Sequence, residues 1–295
     1  MQYGINLPIS TAAATPSVVA AAAQRAEELG FTSLWVGDHV AMPLEYASRY
    51  PYSADGRMTW DPHTPWLDPL MTLLWATAHT RSVTIGTAVL VPAMRPPVLL
   101  AKQLATLDIL SGGRLMLGFG MGWLAEEFAL LGQSFEKRGA RLEEWIEILR
   151  ACWRPGASEY RGQFQQLAPF ACSPKPAQGE KLPILIGGTG DLMLKRVATH
   201  GDGWLPIEMP LDEFAARSKF LDEQLHTVGR SRDELRIVLQ ADGATFSPER
   251  AEQYAEFGVQ HVILEISWRN QSVGAAMDQM TSIAERFALP GRSRL

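Results

Sequence analysis

The chain has little cysteine, no long apolar run and no block of basic residues, and each shortage removes a class of protein. Two cysteines in 295 residues, Cys152 and Cys172, are too few for a disulfide framework and lack metal-ligand spacing. A cytoplasmic location is the default expectation. No segment is long and apolar enough to span a bilayer, so no membrane partner is expected. The alanine-rich stretch from Ala12 to Ala26 resembles a signal-peptide core, but Arg25, Glu27 and Glu28 close it and Thr15-Pro16 opens it as a helix N-cap and first turn. A net charge of −5 without a Lys/Arg run argues against a nucleic-acid partner. Histidine is also sparse, at 6 residues, with no HxH or HExxH spacing, so no metal site is expected. GxSxG and Cys-His nucleophile signatures are missing too.

What remains is an ordinary globular composition, 46% hydrophobic and 20% charged, with 9 tryptophans. Strand-like and helix-like segments alternate throughout. Strands are expected at Tyr3 to Leu7, Ser33 to Val36, Val83 to Leu90, Arg114 to Gly118, Pro183 to Ile186, Gly203 to Pro206, Leu235 to Ala241 and His261 to Ile266. Helices are expected at Pro16 to Leu29, Pro69 to His79, Pro97 to Leu110, Arg138 to Trp153, Leu192 to His200, Asp212 to Val228, Pro248 to Phe257 and Val273 to Phe287. Eight such pairs match a (β/α)8 TIM barrel occupying the whole chain as one α/β domain, with a doubly wound open sheet as the alternative.

Three connections exceed what packing requires: Asp38 to Leu67, Trp123 to Lys137, and Pro155 to Leu182. The first two leave the C-terminal ends of strands, where barrels carry their active sites. Alternate strand residues face the interior, and Gly4 with Asn6, Gly37 with His39, Gly86 with Ala88, and Gly118 with Gly120 share one phase. If that phase points inward, the barrel top is hollow beside its first four strands and suits a large planar ligand.

The run Gly118, Gly120, Gly122 invites a dinucleotide-binding reading, but Trp123 follows where the Rossmann fingerprint wants a small residue. Gly187-Gly188-Thr189-Gly190 is a turn between an apolar strand and a helix, and such a turn can hold a phosphate on backbone N–H groups. His39, closing the second strand beside Asp38, can supply or accept a proton near neutral pH, with an adjacent carboxylate to hold its tautomer.

Gly4 to Pro8, Ala26 to Phe31 with Ser33 to His39, Ile85 to Leu90, Leu110 to Leu115 running on to Gly122-Trp123, Arg138 to Arg141, and Pro183 to Gly188 with Gly201 to Trp204 together carry a resemblance. The chain resembles the luciferase-like monooxygenase superfamily of flavin- and deazaflavin-dependent oxidoreductases, most of all the branch that uses coenzyme F420. The resemblance implies a bacterial-luciferase-like barrel with insertion loops and hydride transfer between F420 and a small organic substrate. The alternative is FMN-dependent oxygen insertion, and a non-enzymatic cofactor carrier stays open beside both. A ring system is implied against a bulge after the third strand, with a cis peptide at Ala88-Val89 and contacts from Asn6, Thr87, Ala88, Val89, Gly120 and Met121. Gly187, Gly188, Thr189 and Gly190 would receive the phosphates, and His39 and Asp38 match the position beside the reactive carbon.

Trp35, Tyr50, Trp60, Trp123 and Glu265 complete the candidate site as substrate-facing residues. Sugar-phosphate dehydrogenases of the superfamily carry a catalytic Glu where this chain has Trp123, which implies an apolar substrate wall instead. Glu126 and Glu127 follow, at the expected start of a helix. Tyr50, Tyr52, Trp60 and Trp66 are too many large rings for a solvated loop, so a lid or the interface of a homodimer is expected there.

Overall fold

The computed structural model describes residues 1–51, 53, 55–58 and 60–291. Tyr52 therefore lies outside the described residues. From the N-terminus run β1 Gln2–Asn6, α1 Pro16–Glu28, β2 Ser33–Val36, α2 Pro69–Ala78, β3 Thr84–Thr87, α3 Pro97–Leu110, β4 Leu115–Phe119, α4 Ala125–Leu130 and α5 Arg138–Trp153. A hairpin of β5 Ser158–Arg161 and β6 Gln166–Phe170 follows, then β7 Ile184–Gly187, α6 Asp191–His200, β8 Gly203–Leu205, α7 Leu211–Thr227, β9 Arg236–Asp242, α8 Pro248–Ala255, β10 His261–Glu265 and α9 Val273–Arg286.

All strands but those of the hairpin form a closed parallel barrel in the order β1-β10-β9-β8-β7-β4-β3-β2. The pairing of β1 with β10 as well as β2 closes it and excludes the open sheet. The helices begin where local chemistry allows: Asp68 caps α2 by accepting from Met71 N at 3.0 Å with Pro69 behind it, and Ser247-Pro248 does the same for α8. The long segment after α5 folds as the hairpin, whose turn is pinned by the buried carboxylate of Glu144 accepting from Gln163 N and Gln165 N at 2.8 and 2.6 Å. Cys152 and Cys172 are buried free thiols, and burial pushes Cys152 up to about 12, out of reactive range.

Parallel strands are apolar on both faces because both are covered. Outward residues such as Ile5, Leu34, Ile85, Leu117, Ile186 and Leu239 join the large core beneath the helices, while Trp35, Met116, Leu185, Leu205, Val238 and Ile263 form a smaller core inside the barrel. Gly4 and Gly86 take the inward phase, as expected. The room they leave is not hollow, however. A Cβ at Gly4 would lie 2.8 Å from Trp35 Nε1 and one at Gly86 2.5 Å from the Trp35 ring, so the indole itself fills mid-barrel. Trp35, expected to face substrate, is fully buried in that layer.

The indole N–H donates to Ser33 Oγ at 2.6 Å, and Ser33 Oγ lies 2.7 Å from His261 Nε2. Burial, reinforced by the charges of Arg236 and the N-terminus, lowers His261 to about 4, so the ring is neutral in the fold. Between the ordinary histidine value near 6.5 and the folded value, the unfolded chain binds the extra proton, so stability falls as pH drops through that window. The loss should be about 3 kcal/mol by pH 4. Denaturant unfolding of wild type and His261→Gln should show their stability gap narrowing by that amount from pH 7 to pH 4; a constant gap would contradict it.

Candidate active site

The mouth of the barrel is shaped by the exit of β3. The chain leaves the ladder after Thr87, where the Ala88-Val89 peptide is cis as expected, and rejoins β4 at Leu90, which pairs with Phe119. Thr87 covers the gap: its Oγ1 donates to Gly118 O at 2.9 Å and accepts from Gly118 N at 3.0 Å, standing in for a backbone pair. Val89 is thereby laid across the mouth, where Cβ atoms at Gly120 and Gly187 would lie 2.6 and 3.0 Å from its methyls. Ala88, Val89, Gly187 and Met121 keep partial exposure at this end of the barrel.

Asp38 and His39 end β2 side by side but point apart. The Asp38 carboxylate is wholly buried, accepting from Arg95 Nη1 and Nη2 at 2.7 and 2.8 Å and from Val91 N at 2.9 Å. This two-pronged pair offsets the burial that would lower Arg95 and leaves its pKa raised. Asp38 therefore does not hold the histidine tautomer. Glu127 does: its Oε2 lies 3.0 Å from His39 Nδ1, and its Oε1 accepts from Val40 N and Ala41 N at 2.6 and 3.1 Å. With Nδ1–H given to the carboxylate, His39 Nε2 has no partner among the described residues and is left for chemistry. Both glutamates open α4, as expected. Glu126 takes Ala47 N and Ser48 N at 2.6 and 3.2 Å, so the pair clasps the loop after β2 to the exit of β4.

That loop folds back on its own barrel. His39 meets the Trp60, Trp66 and Trp123 rings edge-on at centroid distances of 5.6, 5.0 and 6.3 Å, and Tyr50 packs on Trp60 and Trp123 at 6.2 and 5.1 Å. Trp66 Nε1 is sealed from solvent and has no acceptor among the described residues. From the other side Arg269 lies 3.3 Å from the Trp60 centroid, and burial lowers its pKa to about 10. Glu265 is solvent-accessible but recessed, so burial raises its pKa, helped by the charge of Asp242 and opposed by a 2.6 Å hydrogen bond from Gln240. Asn6 is spent as a brace, exchanging hydrogen bonds of 3.0 and 2.6 Å with Ile266.

Across the mouth, Gly188 adopts a φ of +111°, which favours glycine, and Gly190 caps α6. The N–H groups of Thr189 and Gly190 meet no acceptor among the described residues, and Asp191 just behind them is paired with Arg217 at 2.5 Å. An anion fits this turn, at the positive end of a helix. Glu127, Arg95 and Arg269 are the residues that sequence reasoning missed. Only Glu127 had a signal, its place just after the glycine loop.

A family model described as luciferase-like monooxygenase matches residues 1–290. The chain belongs to that family. It is accordingly an oxidoreductase, built on a closed parallel barrel. An uncharacterized protein of Mycobacterium tuberculosis is 33% identical over 279 residues, spanning 94% of this chain and 95% of its own. An F420-dependent glucose-6-phosphate dehydrogenase of Amycolatopsis mediterranei is 33% identical over 190 residues, 62% of this chain and 51% of its own length. Among solved structures, an F420-dependent secondary alcohol dehydrogenase in complex with an F420-acetone adduct superposes with a TM-score of 0.76 at 18% identity, covering 97% of this chain and 98% of that one. No helix among the described residues is long and apolar enough to cross a membrane.

The buried Asp38–Arg95 pair gives the site a stability signature. Asp38→Asn removes the two-pronged partner of Arg95 and leaves Asp68, 3.7 Å away and more exposed, as its ion-pair partner, so the change should cost about 3 kcal/mol in urea unfolding. A loss under about 1 kcal/mol would mean that the pair does not brace the rim.

Proposed function

We propose that the protein moves a hydride between coenzyme F420 and a small organic substrate. The observation that carries this is His39, its Nδ1 held by Glu127, at the same strand-exit end of the barrel as the cis Ala88-Val89 bulge and the glycine turn at Gly188 to Gly190. The residues present fit such a coenzyme: the Ala88-Val89 bulge offers a flat ring something to rest on, backbone N–H groups suit a phosphate, and Asp191 beside that turn is paired with Arg217. When bound, a deazaflavin supplies or takes up hydride and reacts poorly with oxygen. The protein's part is then positioning and proton handling. His39 Nε2 exchanges the substrate proton, while Glu127 fixes the orientation of the ring. Asp38 acts through Arg95 and Val91 by holding the bulge, and Thr87 holds it from the β4 side. Trp123, Tyr50 and Trp60 wall off water and favour an apolar substrate body. Glucose 6-phosphate is not proposed as substrate, since Trp123 occupies the position of the carboxylate that sugar-phosphate oxidation uses.

Quenching titrations with F420 and FMN test the cofactor. Micromolar binding of F420 with little FMN binding is expected, and the reverse order would assign flavin chemistry to the barrel mouth. His39→Ala should lower turnover by roughly 10²- to 10⁴-fold with F420 affinity nearly unchanged. Unaltered turnover would remove histidine from the reaction.

We infer a homodimer that forms on α2 and α3 rather than on the aromatic loop. Met71 and Leu110, 55% and 58% exposed, line a shallow groove of about 140 Å³, and Trp75 and Leu99, 44% and 52% exposed, lie on the same two helices. Trp75→Glu with Leu99→Glu should halve the mass measured by light scattering, whereas Trp60→Ala should weaken substrate binding at constant mass. The opposite pattern would make the aromatic loop the interface.

A further inference from the structure

Resting on that reading, we propose that Arg269 anchors a carboxylate of the substrate, which makes the preferred substrates small organic monoacids. Arg269 lies just past β10, on a segment that Asn6 fixes through Ile266 and by accepting from Trp268 Nε1 at 3.0 Å. Its guanidinium is stacked 3.3 Å from the Trp60 centroid and 4.9 Å from that of Trp66, and Nε donates to Ser10 Oγ at 3.2 Å. Its terminal nitrogens meet no acceptor among the described residues, and no carboxylate there stands within ion-pair distance. A cation serving only to staple the aromatic loop would need the ring faces and nothing more. Here two terminal nitrogens are left over as well. A desolvated guanidinium with N–H groups to spare calls for an anionic oxygen pair, and its planar fork matches a carboxylate in two-pronged fashion.

The charge balance selects a monoanion. Arg269 faces Glu265 and, behind it, Asp242, so a phosphate dianion would meet two acidic groups with one cation to oppose them. Position supports the same reading. His39 touches Trp60 and Trp66 at 5.6 and 5.0 Å, and Arg269 lies on those rings at 3.3 and 4.9 Å, so the cation and the proton-exchanging ring share one pair of indoles.

Benzoate, benzamide and phenyl phosphate, matched in ring size, are the probes, titrated against tryptophan fluorescence with and without F420. Coenzyme retention is followed separately at its own absorbance. Wild type should bind benzoate at least ten times more tightly than benzamide and more tightly than phenyl phosphate. Arg269→Gln should erase that preference while leaving benzamide and F420 binding in place, and Arg269→Lys should keep part of it. Equal binding of benzoate and benzamide by wild type, or tighter phenyl phosphate binding, overturns the proposal whatever the variants do. Failure to retain F420 would instead count against the coenzyme reading, and the probe titrations on the coenzyme-free protein would still judge Arg269.

Discussion

One buried carboxylate organises the mouth of this barrel. Glu127 receives His39 Nδ1, Val40 N and Ala41 N, so both of its oxygens are satisfied by groups at the exit of β2 while its own backbone belongs to α4 after β4. A carboxylate this deep is tolerable only when fully partnered, and each partner is fixed in return. Asp38 repeats the device one strand over, holding Val91 N and Arg95 at the exit of β3. The rims of three consecutive strands are thus tied together by two acidic side chains, and the bulge at Ala88-Val89 sits between them.

Inside that rim, small and large residues are complementary. Glycines at positions 4 and 86 admit Trp35 in mid-barrel, and those at 120 and 187 admit Val89 at the mouth. The interior is consequently packed up to the level of the bulge, and the free space begins above it. A ligand rests on a rigid floor, whereas the walls come from loops. That division is common where binding residues ride on a stable scaffold.

The walls differ in character around the mouth. Over β2 and β4 the aromatic loop presents rings, with His39 among them; past β10 the wall is polar, with Gln240 bonded to Glu265 and Arg269 laid on Trp60. After β7 the wall is bare backbone at the positive end of α6. The three sectors thus differ in chemistry: aromatic rings with a histidine, a polar wall with an arginine, and backbone N–H groups at a helix start.

The alternation of segments determined the barrel, because both faces of each parallel strand are buried and the apolar runs show through in the sequence. Thr15-Pro16, the Gly187 to Gly190 turn and the two glutamates opening α4 were legible for the same reason: their roles are local. The inward phase of Gly4, Gly86 and Gly118 was legible as well, but not that Trp35 fills the room beside the first two, since periodicity gives a side chain's face and not its reach. Only the tertiary structure decided that Glu127, 88 residues from His39, and not its neighbour Asp38, holds the histidine. Adjacent strand residues point to opposite faces, so the nearest carboxylate in sequence was sterically the wrong one. Arg269 was invisible for a similar reason. A lone arginine after a strand carries no pattern, and its meaning comes from the rings of a loop more than 200 residues away that the closure of β1 on β10 brings against it.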